Sequence, residues 1–151
     1  MSKWKRSGGQ ALVLFTLFVP VFVSIAGLAI DGGLLLGSRR QLQSVADGAA
    51  RAGATRLDLQ RLRDSAGSDV QLDPVLADAA ARAYLDARLA RELTWQSPPQ
   101  VEVEVDARRV HVLVEGTLPT AFLRIAHVDS VAVAASAVAD VQFGIRNGGG
   151  G

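Results

Sequence analysis

Carboxylates and imidazoles are the side chains in this sequence that could carry out acid–base or metal chemistry. Glu102, Glu104 and Asp106 stand two residues apart, so on a strand they would share one face, where paired carboxylates can act as acid and base. An exposed strand face presents the same pattern to water, and no companion acid or base accompanies these three. His111 and His127 are the only histidines, and neither stands in a ligand-spaced cluster with carboxylates. A catalytic or metal site is therefore not predicted.

The remaining composition excludes further classes of function. The chain contains no cysteine, which rules out disulfides, thiolate metal sites and cysteine nucleophiles. No serine stands in a nucleophile elbow, and no glycine-rich loop lies between a strand and a helix to hold phosphate. The formal net charge is +1, and the arginines are interleaved with acids rather than concentrated. We predict a protein that is not an enzyme, with no cofactor, no nucleic-acid partner and no small-molecule substrate.

The dominant element of the sequence is an uncharged run over residues 11–30. At about 1.5 Å rise per residue, this run matches a hydrocarbon layer of roughly 30 Å. Apolar residues continue to Leu36, so we predict a transmembrane helix over residues 11–36 in contact with lipid. Pro20 lies mid-span, where the missing backbone hydrogen bond predicts a kink. Asp31 is predicted as a charge placed simply at the membrane interface; the alternatives are that it caps the apolar half or pairs with a cation on a neighbouring subunit.

The flanks of this run predict its orientation. Lys3, Lys5 and Arg6 lie in a basic tail, residues 1–10, and the bias of basic residues towards the cytoplasm places the N-terminus inside. Everything after Asp31 would then lie outside a cell membrane that is crossed once. The alternative is a cleaved signal peptide, because small residues near the end of the run suit signal peptidase.

Small residues recur at helical spacing after the run. Ala29, Gly33 and Gly37 repeat every four residues, a spacing that lets another helix approach closely. Glycines also weaken a helix in water by up to roughly 1 kcal/mol each, so a hinge is the alternative. The helix is predicted to extend over residues 37–63, with a second stripe that suits packing against a helix or a sheet. The predicted helix-packing residues are Ala29, Gly33, Gly37, Leu42, Ala46, Ala49 and Gly53.

The remaining residues predict a small α+β head. A polar linker over residues 64–72 leads to a second helix, which begins with Asp73 as N-cap and Pro74 at its first position. Which face of this helix, residues 73–93, is buried stays open. Alternating valines then predict a hairpin and a third strand over residues 128–143, giving a small antiparallel sheet of about three strands. Residues 120–126 predict a helical turn that plugs the core. The head spans residues 73–144, and residues 145–151 form a flexible glycine tail.

The first fifty or so residues resemble the N-terminal segment of the TadE/TadG-like proteins of Flp (tight adherence) pilus assembly. Taken together, the matching features are fairly specific. They are Gly9-Gln10-Ala11 before the span, Pro20 within it, Asp31-Gly32-Gly33 after it, Arg39-Arg40 with Leu42-Gln43, and Ala46-Asp47-Gly48-Ala49-Ala50.

The resemblance implies a bacterial, membrane-anchored, pseudopilin-like structural component with a pilin-type head. Its partners would be other pilin-like or Tad assembly proteins, contacted through the long helix. Five residues after Gly8 or Gly9 stands Val13 or Leu14, where prepilin-peptidase substrates typically carry glutamate, and this favours the uncleaved TadG-like branch. The predicted function is an assembly component of a Tad/Flp-type pilus or related secretion apparatus. The alternative is a cleaved, secreted α+β binding module with no pilus role.

Overall fold

The structure is a computed structural model and describes residues 8–141. It contains a long apolar helix, two shorter helices, a 3₁₀ helix and a three-stranded antiparallel sheet, which confirms the predicted α+β fold class. In chain order the elements are α1 (Gly8–Ala54), α2 (Leu59–Asp64), α3 (Pro74–Glu92), β1 (Gln100–Val105), β2 (Arg109–Pro119), the 3₁₀ helix (Leu123–Ala126) and β3 (Ser130–Asp140). The predicted glycine tail lies outside the described residues.

Helix α1 is a single helix of 47 residues, about 70 Å long at 1.5 Å per residue. It ends at Ala54 because the next backbone groups bond to a distant segment. The amide of Asp58 donates to the carbonyl of Gln71 at 2.9 Å, and the amide of Asp73 donates to the carbonyl of Arg56 at 2.9 Å. The Asp58 side chain then caps the separate helix α2. The predicted helical extension through residue 63 is thus corrected: the helix breaks at residues 55–58.

The sheet has the order β1-β2-β3 with both pairs antiparallel. Val103 lies opposite Val112, and Val112 lies opposite Ala137, so the inward-facing residues of all three strands are in register. Alternating exposure along β2 and β3 follows from burying one face of the sheet only. The predicted hairpin and third strand are confirmed. The end of that predicted strand, residues 142–143, lies outside the described residues.

The core of the head lies between this sheet face and the two long helices. Val110, Val112 and Val114 of β2 are fully buried against α1 and α3. Helix α3 buries four residues spaced four apart, and Val75 lies on its exposed side, which settles the face that the sequence left open. The four buried residues of α3 are Ala77, Ala81, Leu85 and Leu89.

The start of α3 agrees with the sequence. The carboxylate of Asp73 accepts hydrogen bonds from the amides of Val75 and Leu76, both at 3.0 Å. Pro74 takes the first helical position, where no intrahelical amide bond is lost. The N-cap and the first-turn proline therefore fix this end of the helix as predicted.

The helical turn after β2 has a different position from the predicted one. Residues Leu123–Ala126 do form one 3₁₀ turn, but it lies against α1 rather than in the core of the head. Phe122 is 40% exposed and Ile125 is 80% exposed. The prediction that this segment plugs the core is wrong, because the sheet and two helices already fill that space.

Candidate functional site

The N-terminal half of α1 presents an apolar surface on almost all sides. Large apolar side chains along it are exposed, for example Phe15 at 69% and Phe22 at 66%. Among the described residues, α1 is the one helix that is long and apolar enough to cross a membrane. A helix that is apolar all round and uncovered by protein needs a lipid environment. This part of the chain is therefore a candidate membrane interface.

The two polar side chains of the span are satisfied within the helix. The Thr16 hydroxyl donates to the carbonyl of Leu12 at 2.9 Å, and the Ser24 hydroxyl donates to the carbonyl of Pro20 at 2.7 Å. In hydrocarbon, a hydroxyl without a partner would be expensive, so these bonds suit a helix in lipid. The helix continues through Pro20, and the kink at this residue stays a prediction.

Asp31 is buried where α1 meets the head, with only 1% of its surface exposed. One carboxylate oxygen, Oδ1, accepts the amide of Ala121 at 3.1 Å. The other, Oδ2, accepts the amides of Phe122 at 2.9 Å and Leu123 at 2.6 Å. These amides open the 3₁₀ helix, so Asp31 caps it from about 90 residues away in sequence. Asp31 is thus not a freely solvated interfacial charge, and its partners lie in its own chain.

The loop that Asp31 holds, residues 120–129, is here called the junction loop. Its base is closed by the amide of Thr120, which donates to the carbonyl of Asp129 at 3.1 Å, and by the Thr120 hydroxyl, which donates to the carbonyl of Val128. At the tip of the loop, the Phe122 side chain packs against α1 at Gly27. A Cβ at Gly27 would stand 2.8 Å from the Cβ of Phe122, so the close approach requires glycine. The junction loop is thereby fixed to α1 at two points.

A polar contact lies near the junction on the α3 side. Arg88 donates to Glu92 at 2.6 Å, and Gln41 of α1 donates to the same carboxylate at 3.5 Å. The Arg88 hydrogen bond lowers the pKa of Glu92 below its ordinary value. The end of α3 is therefore linked to α1 by a group that stays ionised at neutral pH.

The predicted helix-packing residues fall on two different faces of α1. Gly27 and Asp31 face the head, whereas Gly33 lies two residues beyond Asp31 and is turned about 200° from it at 100° per residue. Gly33 and Gly37 have open space around them, with no atom within 4 Å of where a Cβ would lie, and Ala29 is exposed. Ala29, Gly33 and Gly37 thus form an outward face that no part of the described chain covers.

The second stripe is buried inside the chain's own head. Leu42, Ala46 and Ala49 are fully buried in the core cluster. At Gly53, a Cβ would stand 3.0 Å from the carbonyl oxygen of Ala77 and 3.2 Å from Val110, so glycine permits close packing of α3 and β2. These four positions pack against the same chain and are not open to a second subunit.

The other candidate residues do not converge. Glu102 and Glu104 lie on the exposed face of the sheet, and His111 lies opposite Glu104 on the neighbouring strand. His127 is exposed on the junction loop. Within residues 8–141, no group of three or more His, Asp or Glu could hold a metal ion. The topology residues Lys3, Lys5 and Arg6 lie outside the described residues.

A family model matches the chain over nearly all of α1. Residues 9–56 match the Tad family, described as Flp pilus-assembly TadE/G-like. The N-terminal segment is TadE/G-like. The TadE/G-like segment begins at the second residue of α1 and ends two residues after that helix. It therefore includes Asp31, the outward glycines and the buried stripe. This match confirms the resemblance seen in the sequence.

The head lies outside the family match. That match ends at residue 56, before α2, α3 and the sheet begin. No curated protein matches the chain, and no solved structure matches it.

Two features of the site have no signal among the sequence motifs. The partners of Asp31 are backbone amides, which carry no residue signature and lie far away in the chain. Gly27 and Gly48 belong to a glycine-rich segment, where the sequence does not tell which glycine a neighbour requires. At Gly48 a Cβ would collide with the Tyr84 ring.

Proposed function

We propose that this chain is a single-pass membrane component, pseudopilin-like, of a bacterial Tad/Flp-type pilus or related secretion apparatus. Its N-terminus lies in the cytoplasm and its head lies outside. The role is structural rather than enzymatic, and the partners are pilin-like or Tad assembly proteins. The observation that carries the proposal is the TadE/G-like match over a helix that is long and apolar enough to span a bilayer.

The structure supports different roles for the C-terminal and N-terminal parts of α1. The C-terminal part is enclosed by α3 and the sheet, so it holds the head rigidly on the helix. The N-terminal part is bare, and Ala29, Gly33 and Gly37 face away from the head. Small residues at this spacing let two helices pack closely within a membrane. The outward face is therefore the contact we propose for a neighbouring helix of the assembly.

The test is the state of the chain in cell membranes. The full-length chain should fractionate with membranes, retain its own N-terminus on sequencing, and co-purify with pilin-like subunits after detergent extraction. Because the chain lacks cysteine, single replacements report topology: Leu59→Cys should react with an impermeant maleimide in spheroplasts, and Ser2→Cys should not. A mature start near Gly27 or Ile30 would support the secreted binding module instead.

A further inference from the structure

The tip of the junction loop exposes apolar side chains. Ile125 is 80% exposed, Val128 is 41% exposed and Phe122 is 40% exposed. Removing such apolar area from water is favourable, so each of these side chains gains from an apolar partner. A cluster of large apolar side chains at the end of one short loop is typical of an interaction surface.

This cluster lies beside the membrane-spanning part of α1. Phe122, Leu123, Ile125 and Ala126 line one cleft together with residues of α1 between positions 23 and 28. The uncharged run ends at Ile30, so these α1 residues lie roughly 3–10 Å inside it at 1.5 Å per residue. A turn packed at their level is at the same height along the helix. Lipid that surrounds this part of α1 therefore also reaches the turn.

The backbone of the loop is suited to an apolar surrounding. Amides 121–123 donate to Asp31, and those of Ile125, His127 and Val128 donate to carbonyls within the loop at 3.0, 3.0 and 3.1 Å. Hydrocarbon contains no water, so a backbone group that enters it needs a partner within the protein. Within the described residues, no buried side-chain nitrogen or oxygen lacks a partner, and this includes the carboxylate of Asp31. The loop can thus enter the leaflet without leaving these polar groups unpaired.

The one cation of the turn is compatible with this position. Arg124 is exposed, and a long arginine side chain can keep its charge at the headgroups while its stem lies in apolar surroundings. The exposed His127 and Asp129 mark the side of the loop that returns to the head. These three exposed side chains are the ones that a position at the headgroups has to accommodate.

We propose that the junction loop inserts Phe122 and Ile125 into the bilayer leaflet on the head side, as a second lipid anchor beside α1. This inference rests on the membrane-spanning part of the proposed function. The occupant of the loop surface is lipid, because that surface is continuous with the lipid-facing surface of the helix. The anchor fixes how deep the head sits relative to the bilayer.

The test uses the full chain reconstituted in phosphatidylcholine–phosphatidylglycerol vesicles with single cysteines that carry an environment-sensitive dye. Three sites are labelled: Ile125→Cys at the loop, Phe15→Cys in the span and Val75→Cys on the head, where Val75 is 74% exposed. At Ile125 we expect emission shifted to shorter wavelength, quenching by spin-labelled lipid, and loss of quenching by aqueous iodide. The Val75 label should show iodide quenching alone.

Each other outcome overturns the inference in a distinguishable way. If the Ile125 label behaves like the Val75 label while the Phe15 label is in lipid, the loop stays in water and the anchored helix still stands. If the Ile125 label is shielded from both quenchers, protein covers the loop instead of lipid. If the Phe15 label is itself reached by iodide, the membrane anchoring of the proposed function fails together with this inference.

Discussion

One carboxylate is a point at which the head is attached to α1. Asp31 accepts three amides of the junction loop, the closest at 2.6 Å, and is almost completely buried. Hydrogen bonds to an ionised acceptor are about twice as strong as neutral ones. A charge at this boundary would be unfavourable alone, so its burial requires all three donors. The contact therefore acts as a clamp between α1 and the junction loop.

The clamp predicts the effect of Asp31→Asn. The amide side chain loses the charge and turns an NH₂ group towards backbone donors, so at least one loop amide is left without an acceptor. We expect hydrogen exchange at residues 121–123 to accelerate on the order of tenfold or more in vesicles or micelles. Asp47→Asn is the matched control, because within residues 8–141 the Asp47 carboxylate accepts a hydrogen bond only from the Gln43 side chain on its own helix. Unchanged exchange in Asp31→Asn would contradict the clamp.

At the scale of single residues, the sequence showed which charge is unusual but not what it does. Asp31 stands out because it follows twenty uncharged residues. Its partners could not be read, since any residue can supply a backbone amide and the loop lies 90 residues later. By contrast, the cap at Asp73 was predictable because its donors lie two and three residues away. Local hydrogen bonds leave a sequence pattern, and distant ones to backbone do not.

Between elements, the distance from α1 to α3 depends on small side chains. The fully buried Ala46 and Ala49 of α1 belong to the same core cluster as Ala77 and Ala81 of α3. At Gly53 side-chain rotation cannot relieve the contact, because the atom nearest to a Cβ placed there is the backbone carbonyl oxygen of Ala77. Small residues on both helices bring their axes close together, and the head is built on that contact.

Gly53→Ala should therefore destabilise the head. An added methyl group in a packed core costs about 1–3 kcal/mol. Alanine in a helix recovers up to about 1 kcal/mol relative to glycine. We expect a net loss of unfolding free energy, measured by denaturant titration in micelles with near-ultraviolet circular dichroism. Gly32→Ala, with open space around its position, should be neutral or stabilising. If Gly53→Ala and the wild type have the same free energy of unfolding, α3 moves away from the added methyl group without cost.

The sequence predicted elements well where their burial is one-sided. The strands alternate in exposure because one sheet face packs on the helices, and this produced a readable period of two. The break after α1 was missed because Leu57 pairs with Leu72 across a tertiary bridge. The pattern of small residues also predicts one set of helix-packing positions where α1 has two faces, although the step from Gly37 to Leu42 is five residues rather than four. That step turns the second stripe towards the head.

At the scale of the whole described chain, residues 8–141, α1 is a rod with the head fixed to one side of its C-terminal half. The head covers the face of α1 that contains Asp31 and the buried stripe. Within the described residues, the opposite face at Gly33 and Gly37 is not covered by the head. A neighbouring helix can approach there without meeting the head of the same chain. One-sided attachment of the head thus makes lateral assembly of several such rods geometrically possible.

This arrangement predicts that the outward glycines act between subunits and not within one. In the double variant Gly33→Leu/Gly37→Leu the head should keep its fold, since no atom lies within 4 Å of a Cβ at either position. Close approach of a second helix would be blocked, and co-purification of the chain with its assembly partners should be lost.

Gly32→Leu is the matched control. It replaces a neighbouring glycine of the same helix that also has open space, but points about 100° away, so it changes helix propensity without filling the outward face. Native gel electrophoresis of detergent-solubilised membranes separates the cases. If the double variant assembles like the wild type, or if Gly32→Leu loses assembly to the same extent as the double variant, the subunits meet through another surface. The edge strands of the head would then be the remaining candidates, because β1 and β3 form the two edges of the sheet within residues 8–141.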